Sequence, residues 1–324
     1  MKIFTYVNSD PLYANLANEA IKQWKNDQVF TNHFHQTGWV VCTTDKSSIT
    51  ADNLIYKPFE ILSKTELKDK IKLLDNVDQI LEYAPQLEPS KNGIKDWVGM
   101  WNENNGWCEA FNAIKSCCDE ASKLGTEFIS GESGTVVNFD NFNQGIIVKC
   151  KDGSEYIADY AVLCVGAWAQ EFIDVDCTAR CWTVGHIQLT SDEAMSFKNM
   201  PVIDHSHLGF FFEPSSNNMI KLCNNFSGYT NYKKDFKNGE VSIPHDIKYD
   251  VPYESHEALE NFKNTVLPQF KHKPLVNKMI CWCLDSDDGN WIIDYHPTFH
   301  KLLVASGDSG YVFLFKNINF IEIF

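Results

Sequence analysis

The chain has 324 residues, with 28 Lys and Arg against 43 Asp and Glu, so its formal net charge at pH 7 is −15. That charge repels phosphate backbones and argues against a nucleic-acid partner. No apolar run approaches the roughly 18 residues that span a bilayer, and residues 1–10 lack the basic and apolar segments of a secretory signal. With 44% hydrophobic residues, the composition is that of a globular protein.

Cysteine and arginine usage narrows the possibilities further. The eleven cysteines are odd in number and include no C-x-x-C pair, which favours reduced thiols of an intracellular protein over a disulfide framework. Arg180 is the only arginine, so it alone has the planar fork that clamps a carboxylate or phosphate with two hydrogen bonds.

Three amphipathic helices are predicted in the first part of the chain, at about 11–24, 63–74 and 106–124. Their start and stop signals are Asp10 with Pro11, Ser63 with Glu66, and Gly125. The apolar positions expected on their buried faces are Leu12, Leu16, Ala20, Ile21 and Trp24; Leu67, Ile71 and Leu74; and Trp107, Phe111, Ile114 and Cys118.

Beyond Gly125 the apolar period changes to two residues, which predicts strands. The predicted strands are 127–130, 135–139, 145–150, 156–158, 161–165, 182–190, 202–203, 208–213, 219–223, 279–283 and 302–305. A loop is expected at 224–253 and a helix at 255–267. Residues 161–165 are apolar throughout and end at Gly166, which predicts a buried parallel strand whose carboxyl end faces a ligand crevice. This mixture indicates two interleaved domains of α/β and α+β type.

Two strands carry candidate functional residues. Cys281 and Cys283 alternate with Trp282, so both thiols share one face, where they could hold a metal or a covalent cofactor or simply be small buried side chains. No further soft ligand lies near them except His296, so a metal site is not predicted. Lys221 is one charge in the apolar strand 219–223, and it either enters a site or points outward to solvent.

The last predicted strand opens into Ser306-Gly307-Asp308-Ser309-Gly310. Its backbone N–H groups would suit an anionic or carbonyl group, although an ordinary glycine-rich turn has the same composition. Asp294 and His296 with Ser306 or Ser309 also suggest a hydrolase, but no G-x-S-x-G elbow supports it.

Taken in order, these segments resemble the fungal fructosyl amino acid oxidases (amadoriases) of the monomeric sarcosine oxidase and D-amino-acid oxidase superfamily. The segments that carry the resemblance are 158–168, 208–214, 220–223, 280–283, 292–297 and 304–310. The resemblance implies a glutathione-reductase-type FAD-binding domain, incomplete here, at 1–60, 105–175 and 279–324. It also implies a substrate domain on a mixed β-sheet at 61–104 and 176–278.

The resemblance also implies roles for individual residues. Cys281 matches the cysteine bonded to the flavin 8α carbon, and Lys221 matches the lysine beside flavin N5 that promotes O₂ reduction. Further cofactor contacts are implied at Val136, Gly166, Ser309 and Gly310. The implied activity is FAD-dependent oxidation of the C–N bond of a secondary amine, such as a fructosyl amino acid or saccharopine, with O₂ reduced to H₂O₂. A monomer in the cytoplasm or peroxisome is expected.

The sequence departs from the family pattern in three places. It contains no G-x-G-x-x-G unit for the FAD pyrophosphate, Leu314 replaces a substrate-binding lysine, and Asn225 replaces an acidic residue. We therefore expect weak FAD retention by this chain, and the alternative function is an inactive protein that keeps the substrate-domain fold without cofactor.

Overall fold

The computed structural model describes residues 2–4, 10–225, 228–235, 239–245 and 247–309. Its helices are α1 Pro11–Asn26, α2 Ile49–Ala51, α3 Lys57–Leu62, α4 Val77–Tyr83, α5 Ala110–Lys123, α6 Ser191–Ser196 and α7 Tyr253–Val266. A π-helical turn, Asp52–Tyr56, joins α2 to α3. None of the helices in these ranges has the length and apolar character that a membrane span requires.

The strands follow in chain order. They are β1 Lys2–Phe4, β2 Phe34–His35, β3 Trp39–Thr43, β4 Ile71–Leu74, β5 Val98–Asn102, β6 Gly106–Cys108, β7 Val136–Phe142, β8 Gly145–Cys150, β9 Glu155–Ala158, β10 Ala161–Leu163, β11 Cys177–Gln188, β12 Val202–His205, β13 Gly209–Phe211, β14 Met219–Asn224, β15 Tyr229–Thr230, β16 Tyr232–Asp235, β17 Gly239–Ser242, β18 Leu275–Ser286, β19 Ile292–Tyr295 and β20 Leu302–Ser306.

A nine-stranded mixed sheet organises the molecule. Its order is β15-β11-β14-β13-β12-β3-β5-β4, and β18 pairs with the other edge of β11. Most pairs are antiparallel, while β12 and β3 run parallel. Strand β11 is therefore central, because β14 and β18 flank it on opposite sides.

The two faces of this sheet have different coverings. One face packs Val40, Ile203, Phe211, Ile220 and Leu222 against α4 and α7, forming the largest apolar core. The opposite face carries the smaller cluster of Trp39, Val41, Met100, Val202 and Phe212 with Trp107. Side chains alternate between faces along a strand, so Lys221 and Cys223 lie on the face opposite Ile220 and Leu222.

A separate sheet has the order β10-β20-β19. Strands β10 and β20, which are distant in sequence, run parallel with Ala161 opposite Leu302, and this confirms the prediction of a parallel strand at 161–165. Both strands are followed by glycines at positive φ, Gly166 at 53° and Gly307 at 65°. The chain thus turns sharply at the carboxyl ends of two neighbouring parallel strands, where α/β proteins bind ligands.

The predicted first helix is confirmed as α1. The Asp10 carboxylate accepts a hydrogen bond from the Leu12 backbone N–H at 2.7 Å, and Pro11 occupies the first turn. Leu12 itself is 62% exposed, whereas Ala14, Ala17, Ala20, Ile21 and Trp24 are buried.

The predicted helix at 63–74 is wrong. Ser63 ends α3, where its hydroxyl donates to the Glu60 carbonyl at 2.8 Å. Ile71–Leu74 is strand β4, paired antiparallel with β5 from Ile71 opposite Asn102. The capping-box spacing was a local coincidence, because the hydrogen bonds of this segment go to a strand that follows it in the chain.

Other predicted elements are corrected in their bounds or burial. Residues 106–108 form strand β6, so α5 begins at Ala110. No strand forms at 127–130, and the predicted loop at 224–253 contains β15, β16 and β17. Phe111 and Ile114 are 79% and 54% exposed, and Val162 in the strand predicted to be fully buried is 46% exposed. Periodicity identifies an apolar stripe but not the element that packs on it.

The predicted division into two domains stays a prediction, and sheet membership cuts across it at two points. Strand β3, within 1–60, and strand β18, mostly within 279–324, both belong to the nine-stranded sheet. They pair with strands of the segments 61–104 and 176–278. The strands that carry Cys281 and Lys221 consequently lie in one sheet.

Candidate active site

Lys221 and Cys281 line the same pocket, which has a volume of about 460 Å³. This volume lies in the range of small-molecule sites. The lining residues come from β11, β14, β18, the start of α5 and the turn before β14: Glu109, Phe111, Asn112, Val184, His186, Ser215, Ser216, Asn217, Met219, Lys221, Met279 and Cys281.

Strand register explains why these residues meet. On β11, His186 lies opposite Lys221 of β14, and Trp182 lies opposite Cys281 of β18. Positions 182 and 186 are an even number of residues apart, so both pairs project from the same face of the sheet. The register of β18 shifts opposite residues 184–186 of β11. Met279 and Cys281 pair with β11 outside that shift, so their side chains stay on the same face of the sheet as Lys221.

His186 lies on β11, between the strands that carry Lys221 and Cys281, and is partly buried. Its Nδ1 lies 3.3 Å from the Asn277 carbonyl oxygen, which accepts a hydrogen bond from that nitrogen. Burial lowers the pKa of His186, the bond to Asn277 opposes this, and the positive charge of Lys221 lowers it further. The net effect is a neutral imidazole at pH 7 whose Nε2 is an acceptor.

Glu109 is the acidic side chain of the pocket. One carboxylate oxygen lies 3.1 Å from His35 Nε2, and the other accepts a hydrogen bond from the Asn112 amide. Burial raises the pKa of Glu109, but the hydrogen bonds from Asn112 and His35 outweigh it, and the net pKa is lowered. The carboxylate is therefore ionised at neutral pH.

Aromatic stacking fixes the groups behind Glu109. The His35 ring stacks on Trp107 with centroids 4.1 Å apart, and Trp107 stacks on Phe212 at 5.2 Å. The Trp107 indole N–H donates to the buried carboxylate of Glu213 at 2.9 Å. Packed aromatic rings therefore support His35 on one side, while its side chain stays 34% exposed.

The other predicted cofactor contacts lie outside this pocket. Gly166 follows β10, and no atom of the described residues lies within 4 Å of the position that a Cβ would occupy. Ser309 has a φ of 43°, its backbone N–H donates to the Leu284 carbonyl at 2.9 Å, and its hydroxyl accepts from the Ser286 backbone N–H at 3.3 Å. Val136 begins β7 in the separate sheet β7-β8-β9. Gly310 and Leu314 lie outside the described residues.

Asn225 contacts a buried carboxyl group rather than the pocket. Its amide donates to Asp204 at 3.0 Å and to the His205 carbonyl at 3.3 Å. Burial raises the pKa of Asp204 to about 7, and the bond from Asn225 only partly opposes this. Asp204 pairs with Phe210, and Phe210 pairs with Cys223. Cys223 is two residues from Lys221 on β14, so Asp204 and Lys221 project from the same face of the sheet.

The hydrolase hypothesis has no support in this geometry. His296 Nδ1 accepts hydrogen bonds from the Thr298 and Phe299 backbone N–H groups at 3.0 and 3.2 Å, so it is committed to its own turn. The Ser306 hydroxyl is buried and has no hydrogen-bond partner within the part of the chain that the structure describes. Asp294 accepts from the adjacent Tyr295 backbone.

Sequence reasoning missed His186 and Glu109. Strand alternation from Trp182 was a usable signal for His186, because both residues fall on one face of a predicted strand. Nothing local marks Glu109, which precedes a helix and reaches the pocket only through packing of α5 and β6 near the sheet.

Comparison with known proteins agrees with this arrangement. Residues 3–315 match the family model for FAD dependent oxidoreductases. A modified fructosyl peptide oxidase from Aspergillus nidulans superimposes with a TM-score of 0.90 at 32% identity, over 98% of this chain and 76% of that chain. The fructosamine oxidase Amadoriase II from Aspergillus fumigatus gives a TM-score of 0.83 at 29% identity, over 97% of this chain and 72% of that chain.

Among curated proteins, the L-saccharopine oxidase of Schizosaccharomyces pombe is 29% identical over 328 residues, which cover 95% of this chain and 74% of that protein. The match to the family model extends over nearly the whole chain, and the solved structures share the fold at TM-scores well above chance. The chain belongs to the family of FAD-dependent oxidoreductases and closely resembles the fungal fructosyl peptide and fructosyl amino acid oxidases in structure.

Proposed function

We propose that this protein is an FAD-dependent oxidase of a secondary amine, which oxidises the C–N bond and reduces O₂ to H₂O₂. The observation that carries the proposal is the meeting of Lys221 and Cys281 in one pocket. Lys221 and Cys281 are 60 positions apart in sequence. They share the pocket because the strands that carry them, β14 and β18, both pair with β11. Both are the residues that the family resemblance assigns to flavin chemistry.

The residues present fit a flavin. The Cys281 thiol is partly exposed on the pocket face, where it would form the covalent link to the ring. The open space at Gly166, beside the carboxyl end of β10, suits a close approach of the backbone to the rest of the cofactor. When bound, FAD would accept the hydride equivalent that leaves the carbon of the C–N bond, which gives an imine, and would pass the two electrons to O₂.

Two features of this chain would support that chemistry. The Lys221 ammonium places positive charge where negative charge develops on O₂. The neutral His186 beside it leaves Lys221 as the cation of the pair. The apolar side chains of Phe111, Met219 and Met279 line the pocket.

The substrate class follows from the relatives. One is named for saccharopine and others for fructosyl peptides, and each of these compounds contains a secondary amine. We infer a substrate of that kind, an amino acid whose nitrogen carries a second carbon chain.

A peroxide assay tests the proposal. Purified protein supplemented with FAD is incubated with L-saccharopine or with a fructosyl amino acid, and H₂O₂ is measured by a coupled peroxidase. The expected result is peroxide with at least one substrate, formed roughly 100-fold more slowly in Lys221→Met and at the parent rate in Lys278→Met, which alters a lysine on the opposite face of β18. Absence of peroxide with both substrates would overturn the proposal in favour of an inactive protein that keeps the fold.

A further inference from the structure

Glu109 is the only carboxylate among the described residues that line the pocket of Lys221 and Cys281. We propose that Glu109 is the residue that selects a cationic amine in this pocket, by pairing with the ligand's protonated nitrogen. The inference rests on the proposed function for the identity of the pocket as a substrate site, but it concerns what the pocket recognises.

The carboxylate is held in place by neighbours on both oxygens. His35 contacts one oxygen and Asn112 the other, and the backbone N–H of Glu109 donates to the His33 carbonyl at 2.8 Å. Each carboxylate oxygen accepts more than one hydrogen bond, so acceptor capacity remains for a ligand. The side chain is 28% exposed, which leaves it accessible from the pocket.

The support behind Glu109 is rigid. His35 is stacked on Trp107, which is stacked on Phe212 and hydrogen-bonded to Glu213. A charge held by packed groups loses little conformational entropy on binding a ligand. Such preorganisation is typical of residues that select a ligand rather than of mobile surface charges.

The charge pattern of the pocket indicates the ligand class. Lys221 and Glu109 supply opposite charges among otherwise apolar or neutral lining residues. An amino acid that carries both a protonated amine and carboxylates complements this arrangement, whereas a plain dicarboxylate lacks the group that Glu109 would bind. Charged hydrogen bonds of this kind are the strong ones in binding sites.

Calorimetric titration of the protein without added FAD tests the inference independently of turnover, because the amine then has no electron acceptor. The probes are L-saccharopine and dipropylamine, which carry a protonated amine, and glutarate, which carries carboxylates but no nitrogen. The proteins are the full chain, Glu109→Gln, and the control Glu120→Gln, which alters a half-exposed glutamate of α5 that pairs with Lys123. Thermal unfolding of each protein is measured in parallel to verify the fold.

We expect Glu109→Gln to weaken binding of the two amines about tenfold and to leave glutarate binding unchanged, while Glu120→Gln matches the parent protein. Equal weakening of the amines and glutarate would assign Glu109 a structural role and overturn the inference. Unchanged amine binding, or no binding of either amine to the parent protein, would overturn it as well. Amine binding that depends on Glu109 in a protein that makes no peroxide would support the inference and contradict the proposed oxidase activity.

Discussion

Lys221 lies directly opposite His186 on the neighbouring antiparallel strands β14 and β11, and both side chains line one pocket. The pair places an ammonium beside an imidazole that burial already disfavours in its charged form. Two positive charges at this position would repel each other, so His186 is neutral and Lys221 carries the charge.

The first prediction concerns this electrostatic coupling. Replacing Lys221 by Met removes a charge that lowers the pKa of His186, so the His186 pKa should rise in Lys221→Met while burial still keeps it below its ordinary value of 6.5. The measurement is an NMR titration of the histidine ring protons. The pKa of His296, which burial alone lowers, should not move, and an unchanged His186 pKa would contradict the coupling.

The second prediction separates the two half-reactions of the proposed oxidase. Lys221→Met should slow the reoxidation of the flavin-loaded protein by O₂ roughly 100-fold. Removing one charged group that stabilises the negative charge developing on O₂ typically lowers the rate by about that factor. Reduction by the amine should slow far less. Stopped-flow absorbance measures both rates. Equal slowing of the two would remove Lys221 from the O₂ step, and Lys278→Met serves as the control.

The third prediction concerns the covalent link. Excess FAD offsets the weak retention expected of this chain, and under that condition Cys281→Ser should abolish the flavin adduct seen by mass spectrometry of the intact protein, because a serine hydroxyl cannot form the thioether. Cys283→Ser should keep the adduct, although Cys283 is on the same strand face two positions away. An adduct retained in Cys281→Ser, or lost equally in both variants, would contradict the assignment.

The fourth prediction concerns stability and pH at Asp204. Burial raises its pKa from 3.8 to about 7 in the folded protein, so the folded state binds the proton more tightly than the unfolded state does. The resulting stabilisation is fully present below pH 3.8 and is lost as the pH rises through 7. Asp204→Asn, which can still accept the bond from Asn225, should therefore raise the free energy of unfolding by about 2 kcal/mol at pH 8 relative to the parent protein.

At pH 5 the gain should be clearly smaller than at pH 8, because the penalty for the raised pKa of Asp204 builds up over the whole range from pH 3.8 to about 7. Urea denaturation at the two pH values measures the difference, and Asp69→Asn, an exposed aspartate, serves as the control. An equal gain at both pH values would show that Asp204 does not titrate as described.

The sequence alone determined those elements whose signals are local. Asp10 and Pro11 start α1 because a capping carboxylate and a fixed proline φ act within one turn. Residues 253–266 form α7 and residues 145–150 form β8 because their apolar period is unambiguous. The ordered motifs also led to the correct family, since each combines several residue types at fixed spacing.

Tertiary structure decided which strands pair and which side chains are buried by neighbouring elements. Ile71–Leu74 is a strand because β5 supplies its hydrogen bonds, which outweighs a local capping pattern at Ser63. Phe111 and Val162 are exposed because no described element packs on them. Glu109 joins Lys221 and Cys281 only through the packing of three segments distant in sequence. Distances between residues far apart in the chain depend on register and packing, which no short stretch of sequence encodes.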